Sequence, residues 1–230
     1  MNKISLTAII PVFNEQSTVL ESVNRLLSVE EVDQIFIVDD GSTDNSPGIL
    51  QKIELENDNV TLFTNKPNNG KGHAIKSVFQ HLNTDYAVIH DSDLEYNPNN
   101  ISDLCKKINT EKSNFILGSR FLDNSKIQIY IRTFYANKIL SRLFSFIYRV
   151  KITDIATCYK MMPSDYLKNT NFVENGFAIE IELVAKFLKY HSLITEVKID
   201  YSARSYKDGK KIKLSDGFLY LYTIFKYRYL

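Results

Sequence analysis

Cysteine is scarce in this chain: Cys105 and Cys158 are the only 2 among 230 residues, far apart and without metal-binding spacing. That excludes a disulfide-stapled scaffold or a zinc knuckle and fits free core thiols in a reducing compartment. Glycine and proline are also few, at 8 and 5, and no Pro/Gly/Ser linker, low-complexity tract or internal repeat breaks the chain. Collagenous and disordered classes fall away. Charge of one sign is lacking as well, since 28 Lys+Arg nearly balance 27 Asp+Glu for a net +1. A nucleic-acid-coating protein is excluded on that ground. No apolar run approaches the ~20 residues that span a bilayer, so the chain is not expected to cross a membrane by itself. Lys3 followed by Ile4–Val12 has a faint leader-peptide look but lacks a small-residue cleavage site and runs into Pro11, Asn14 and Glu15. It reads as a buried first strand.

What is present is an ordinary globular composition, 44% hydrophobic and 24% charged, of a length that suits one domain, residues 1–230, with an elaborated C-terminal part. The near-neutral total hides an asymmetry. Residues 120–151 hold seven basic and one acidic side chain and residues 198–230 eight and three, so these stretches carry +11 and the remainder −10. Two local basic surfaces are expected, the plainer alternative being a solvated charged face.

Short apolar runs alternate with helix-period segments through the first half. Strands are predicted at Leu6–Ile10, Gln34–Val38, Val60–Phe63, Tyr86–Ile89 and Phe115–Leu117, and helices near Ser17–Ser28, Pro47–Leu55, Gly72–Leu82 and Ile101–Asn109. This order implies an α/β fold, a mainly parallel sheet flanked by helices. Further helices are predicted at Ile129–Val150, Ala178–Tyr190 and Ser215–Tyr229, with a strand at Ile194–Ile199. Ligands of such sheets bind beyond the carboxyl ends of the strands. Asn14-Glu15, Asp39-Asp40-Gly41 and Asp91-Ser92-Asp93 all follow strands directly, so three polar loops are expected on one rim.

Asp91 and Asp93, two residues apart on an extended chain, lie on the same side and can share a hard divalent cation, with Glu95 placed to join. Such a cation would neutralise a departing diphosphate. The plainer reading is a helix N-cap ahead of Leu94–Ser102. In Asp39-Asp40-Gly41-Ser42-Thr43-Asp44, Gly41 permits a turn and Thr43 or Ser46 could cap the next helix, which leaves adjacent acids to accept hydrogen bonds from a nucleobase and ribose. Asn69-Gly70-Lys71-Gly72 offers backbone amides and a cation before a helix, suited to phosphate or simply to starting the helix. No Walker loop and no G-x-G-x-x-G is present. His73, His81, His90 and His191 lack mutual metal spacing, and His90 reads as packing.

Taken together, Pro11-Val12-Phe13-Asn14-Glu15, Asp39 to Asp44, Asn69 to Gly72, Asp91 to Glu95 and Gly118-Ser119-Arg120 resemble, in order and spacing, glycosyltransferase family 2 with the GT-A fold. Asp154 to Lys160, Phe177–Glu182 and Tyr201–Gly217 are similar to its dolichol/polyprenyl-phosphate mannosyltransferase branch. The resemblance implies a nucleotide-sugar donor (GDP- or UDP-linked), Mg²⁺ or Mn²⁺, and a polyprenyl phosphate acceptor. It implies that Pro11, Phe13, Glu15, Asp39, Asp40, Lys71, Gly72 and Asp91 serve the donor, and that Asp91, Asp93 and Glu95 match the metal positions. Arg120, Arg132, Arg204 and a lysine, Lys210 or Lys211, would face phosphates. Residues 1–120 would then be the nucleotide-sugar half and 121–230 the acceptor half.

A phosphate acceptor is already anionic near neutral pH and needs placement more than a base. A sugar hydroxyl would need one, with Asp154, Glu180 and Glu182 as candidates. Three functions therefore stand: transfer to polyprenyl phosphate at the cytoplasmic membrane face, transfer to a saccharide hydroxyl in surface-polysaccharide assembly, and a non-catalytic subunit docking a membrane-protein partner. Lys138, Arg142 and Arg149 beside Phe134, Phe144, Phe146 and Tyr148, and the aromatic C-terminus from Phe218 to Arg228, suggest peripheral attachment to anionic lipid. Plain core packing by those aromatics is the alternative.

Overall fold

The computed structural model of the chain describes residues 4–111, 113–123, 130–204 and 214–229. Lys210 and Lys211 lie outside them. Seven strands form one sheet in the order β3-β2-β1-β4-β6-β5-β7. Four of them, β1 (Leu6–Val12), β2 (Gln34–Asp39), β3 (Val60–Thr64) and β4 (Tyr86–Ile89), alternate with α1 (Val19–Leu27), α2 (Ser46–Glu56) and α3 (Lys71–Ser77), the last followed by a 3-10 turn at Phe79–His81. Their pairings are parallel. Leu6, Ala8, Ile9, Ile10, Ile35 and Ile37 are all fully buried, as expected of strands covered on both faces. Then come α4 (Asn100–Thr110), β5 (Ile116–Ser119) and α5 (Ile131–Tyr148).

One strand was not legible in the sequence. Lys160–Pro163 forms β6, inserted antiparallel between β4 and β5, and α6 (Ser164–Asn169) follows it. A four-residue segment that begins with lysine and ends with proline has neither the alternation nor the β-branched content of a strand. Here both flanking ladders impose it. The chain closes with α7 (Ile179–Phe187), β7 (Thr195–Lys198), which pairs parallel to β5, and α8 (Leu214–Tyr229). Because β6 comes from beyond residue 120 yet stands between two earlier strands, the halves read from the sequence share one sheet and one core.

The antiparallel direction of β6 has a functional result. Parallel strands leave the sheet where β6 enters it, so residues 154–159 reach the same rim as the loops after β1, β2 and β4. Those loops are tied together. Asn14 adopts a left-handed conformation at φ 53° and its Oδ1 accepts the Thr43 amide at 2.8 Å, while Glu15 N donates to Ser46 Oγ at 2.9 Å. Neither Thr43 nor Ser46 is the N-cap of α2; that position is Asn45, and Asp44 Oδ1 accepts the Ser46 amide at 2.9 Å.

Gly72, expected beside the nucleotide, proves to be a packing glycine. A Cβ there would stand 2.4 Å from the Glu174 carbonyl oxygen and 2.9 Å from Gly176 O, because the first turn of α3 lies directly against the loop that enters α7. His73 N donates to Asn175 O at 3.0 Å across the same contact. Gly72→Ala would gain up to ~1 kcal/mol of helix propensity, but overpacking against backbone that cannot rotate away costs about 1–3 kcal/mol. A lowered midpoint in chemical denaturation is expected; an unchanged or raised one would contradict the packing role.

Candidate active site

The rim encloses a cavity of about 250 Å³. From β1 and its loop come Pro11, Phe13 and Glu15, from the β2 loop Asp40, from the start of α3 Lys71, and from the β4 loop Asp91, Asp93 and Glu95; Arg120, Glu180 and Arg204 complete the charged lining. The sequence motifs therefore converge as their positions after strands implied. Tyr96 and Tyr220, outside the sequence motifs, add wall to the cavity together with Phe177 and Tyr201, which open two of the motif segments without a role assigned to them. No periodic signal marks them, since each is a single aromatic brought in by a different element.

Asp40 accepts the amides of Asn69 at 3.1 Å and Gly70 at 2.7 Å, docking the loop before α3 onto the end of β2. Its neighbour Asp39, also expected on the nucleotide, is buried outside the cavity lining; its Oδ1 accepts Ser42 N at 3.0 Å and closes the turn. Lys71 Nζ stands 2.7 Å from Asp91 Oδ1 and 2.8 Å from Glu180 Oε1. Burial alone would lower both the Lys71 pKa and the charge on Asp91. Their mutual attraction prevails, so Lys71 is raised well above the usual lysine range and Asp91 lies below the usual aspartate value.

Asp93 is different. Burial, reinforced by the charges of Asp91 and Glu95, pushes its pKa up to about 7, against the opposing pull of Arg204. Between Asp93 and Glu95, Leu94 has φ 64°, a left-handed conformation that a branched side chain adopts at a cost. No helix begins at this segment; α4 starts only at Asn100, so helix capping does not account for the two aspartates. Glu95, expected as a third ligand, has partners of its own in this structure. Its carboxylate is held by Tyr201 OH and by the Arg204 amide at 2.8 Å, and among the described residues no three Asp, Glu, His or Cys side chains form a metal-holding group.

The arginines and candidate bases are also placed by their partners. Arg120 is buried and makes a bidentate pair with Asp154, Nε to Oδ2 at 2.7 Å and Nη2 to Oδ1 at 2.8 Å, while its own amide donates to Oδ2 at 3.1 Å. Its guanidinium lies 4.9 Å from the Tyr201 ring centre. Asp154 is fully buried and does not line the cavity, so it supports Arg120. Glu182, another of the three base candidates, lies outside the cavity lining, accepts the amides of Val173 and Glu174 and pairs with Lys186 at 2.6 Å. It fastens the loop before α7. Arg204 binds Glu15 at 3.0 and 3.2 Å and approaches Asp93 at 3.3 Å. Arg132 stands exposed on α5, outside the lining. His90 is buried between Ser22 Oγ at 3.1 Å and Tyr159 OH at 2.9 Å, and burial lowers its pKa to about 4. It packs, and both cysteines are buried and free.

An α/β sheet with a polyanionic rim of this topology is the GT-A type of nucleotide-sugar fold. The structure aligns with glucosyl-3-phosphoglycerate synthase from Mycobacterium tuberculosis, solved with Mn²⁺, uridine diphosphate and phosphoglyceric acid, at TM-score 0.76 and 16% identity over 99% of this chain and 79% of that one. In sequence, the chain is 26% identical over 219 residues to glycosyltransferase AglJ of Haloferax volcanii, covering 92% of this chain and 69% of that protein. It is 32% identical over 108 residues to an undecaprenyl-phosphate 4-deoxy-4-formamido-L-arabinose transferase of Shewanella sediminis, covering 44% of this chain and 32% of that protein. Residues 7–170 match the model of glycosyl transferase family 2, and the chain belongs to that family. It is a glycosyltransferase, which removes the non-catalytic reading.

The Arg120–Asp154 pair gives a direct test of the supporting role. Asp154→Asn would leave a buried guanidinium without its counter-charge, a loss of about 3–5 kcal/mol for pairs of this kind. Urea denaturation is expected to show it; a stability unchanged within ~0.5 kcal/mol would return Asp154 to the list of free bases.

Proposed function

We propose that the protein transfers a sugar from a nucleotide-diphosphate donor to a polyprenyl phosphate. One observation carries the choice of acceptor: Asp154, Glu180 and Glu182, the carboxylates considered as bases for a hydroxyl acceptor, are each already bound by arginine, lysine or backbone amides. An acceptor phosphate needs no proton removed near neutral pH and is served by cations that place it. Arg120 and Arg204 line the cavity and fit that task, whereas Arg132 on the outer face of α5 would act, if on any phosphate, at the approach to it. The undecaprenyl-phosphate substrate named for the Shewanella relative is of the same chemical class.

The donor's base and ribose would lie along Pro11, Phe13, Glu15 and Asp40, with Lys71 near its diphosphate. Asp91 and Asp93 would hold a divalent cation, and the all-oxygen pair with Asp93 short of positive charge fits a hard ion; when bound, it neutralises the diphosphate leaving group. The Mn²⁺ of the mycobacterial synthase complex is in keeping with this. Asp91→Ala and Asp93→Ala are expected to lower nucleoside diphosphate release on the order of 10²–10³-fold, with polyprenyl phosphate preferred over soluble sugars. Full activity of Asp91→Ala without Mg²⁺ or Mn²⁺, or a preference for soluble sugars, would overturn the reading.

A lipid acceptor calls for a membrane face, which we assign to α5 and α8 at the cytoplasmic side. No described helix is long and apolar enough to cross a membrane. Along α5, Arg132, Tyr135, Ile139, Arg142, Phe146 and Arg149 recur at three- and four-residue spacing and are all exposed. On α8, which reaches the cavity through Tyr220, Phe218, Tyr222, Phe225 and Tyr229 do the same, with Phe218 76% and Phe146 84% exposed. Core packing accounts for other aromatics of these helices: Phe144, Tyr220 and Tyr227 are buried. Aromatic and basic side chains together suit a headgroup layer of anionic lipid. Flotation with anionic vesicles at low salt is expected to carry the protein upward and high salt to release it; no flotation of folded protein at low salt would leave these faces to a protein partner.

A further inference from the structure

Lys160 is used by none of the roles above. Its side chain is wholly buried in β6, and Nζ pairs with Glu180 Oε2 at 2.6 Å and with the Thr157 carbonyl oxygen. The second Glu180 oxygen is 2.8 Å from Lys71 Nζ, which in turn is 2.7 Å from Asp91. Four side chains of alternating sign thus run from the sheet interior to the cavity. Side-chain exposure rises along them from 0% at Lys160 through 3% and 12% to 25% at Asp91. Lys160 is not among the lining residues, whereas Glu180, Lys71 and Asp91 are.

Burying a lysine where a hydrophobic residue of similar volume would pack without desolvation cost is a poor route to stability alone. The arrangement does define where Lys71 can go. Its ammonium has two carboxylate anchors, one of which, Asp91, is also a proposed cation ligand and must change partner when the donor binds. The other faces no such competition: Glu180 is fixed from behind by Lys160, and the close backbone contact at Gly72 holds α3 against the segment leading into α7.

We propose that Lys160 and Glu180 are positioning residues for the donor's diphosphate: Lys160 orients and neutralises Glu180, and Glu180 keeps the Lys71 ammonium at the cavity wall when Asp91 turns to the donor's cation. This rests on the nucleotide-donor reading. It implies that Lys160 acts on the ligand only through Lys71.

Isothermal titration of UDP and GDP, with and without Mg²⁺, into wild type, Lys160→Met, Lys160→Arg, Lys71→Met and Lys160→Met/Lys71→Met tests it as a double-mutant cycle. For whichever nucleotide the wild type binds, Lys160→Met is expected to raise Kd about tenfold and the donor KM in step, with kcat and the acceptor KM little changed. Lys160→Arg should recover most of the loss, and Lys160→Met should add nothing in the Lys71→Met background. Should Lys160→Met fail to fold, Lys160→Met/Glu180→Gln removes both buried charges and is expected to show the same loss, again absent without Lys71. An equal loss with or without Lys71, or an unchanged Kd in a folded variant, overturns the proposal while the donor reading stands. A wild type that binds neither nucleotide overturns both.

Discussion

Carboxylates gathered at the end of a buried sheet repel one another, and the structure depends on how that repulsion is offset. Asp40, Asp91, Asp93, Glu15, Glu95 and Glu180 all line one cavity. Two like charges about 4 Å apart cost several kcal/mol at the effective dielectric of a protein rim, so the set cannot stand without compensation. The chain supplies it with Lys71, Lys160 and Arg204, drawn from α3, β6 and the segment after β7, while Arg120 at the end of β5 is balanced by Asp154. Backbone amides and a tyrosine hydroxyl take the remaining oxygens of Asp40 and Glu95. Compensation is least complete at Asp93, the position where a ligand cation would add most.

Those cations come from far along the chain, and the sheet topology is what delivers them. An antiparallel strand inserted between β4 and β5 turns the segment 154–159 toward the loops of the parallel half and brings Asp154 against Arg120. β7, paired to β5, then directs Tyr201 and Arg204 over Glu95, Asp93 and Glu15. Residues from before and after position 120 consequently share walls of one cavity, and a change in either set is felt electrostatically by the other.

The same economy shapes the periphery. α5 and α8 bury one face, with Leu140, Phe144 and Ile147 on the first and Tyr220, Ile224 and Tyr227 on the second, and leave aromatic and basic side chains on the other. Each helix carries apolar residues on both sides, which is why helical periodicity reads them as apolar nearly all round. Tertiary packing alone separates inner from outer.

Much of this was determined by local sequence. Runs such as Leu6–Ile10 and Gln34–Val38 announce buried strands, and the acids immediately after them mark the rim, because a parallel sheet gives its strand ends no other place. Asp91 and Asp93, Glu15, Asp40, Lys71 and Arg120 could be assigned to one site on that basis together with their family motifs. The roles of Asp39, Gly72, Asp154 and Glu182 could not, since each depends on a partner that only folding supplies: the Ser42 amide, the Glu174 carbonyl, the Arg120 guanidinium and the amides of Val173 and Glu174. Lys160 is the clearest case. A lone lysine opening a four-residue strand has no pattern to betray it, and its charge acquires meaning only where β6 sets it against Glu180 in a space that excludes water.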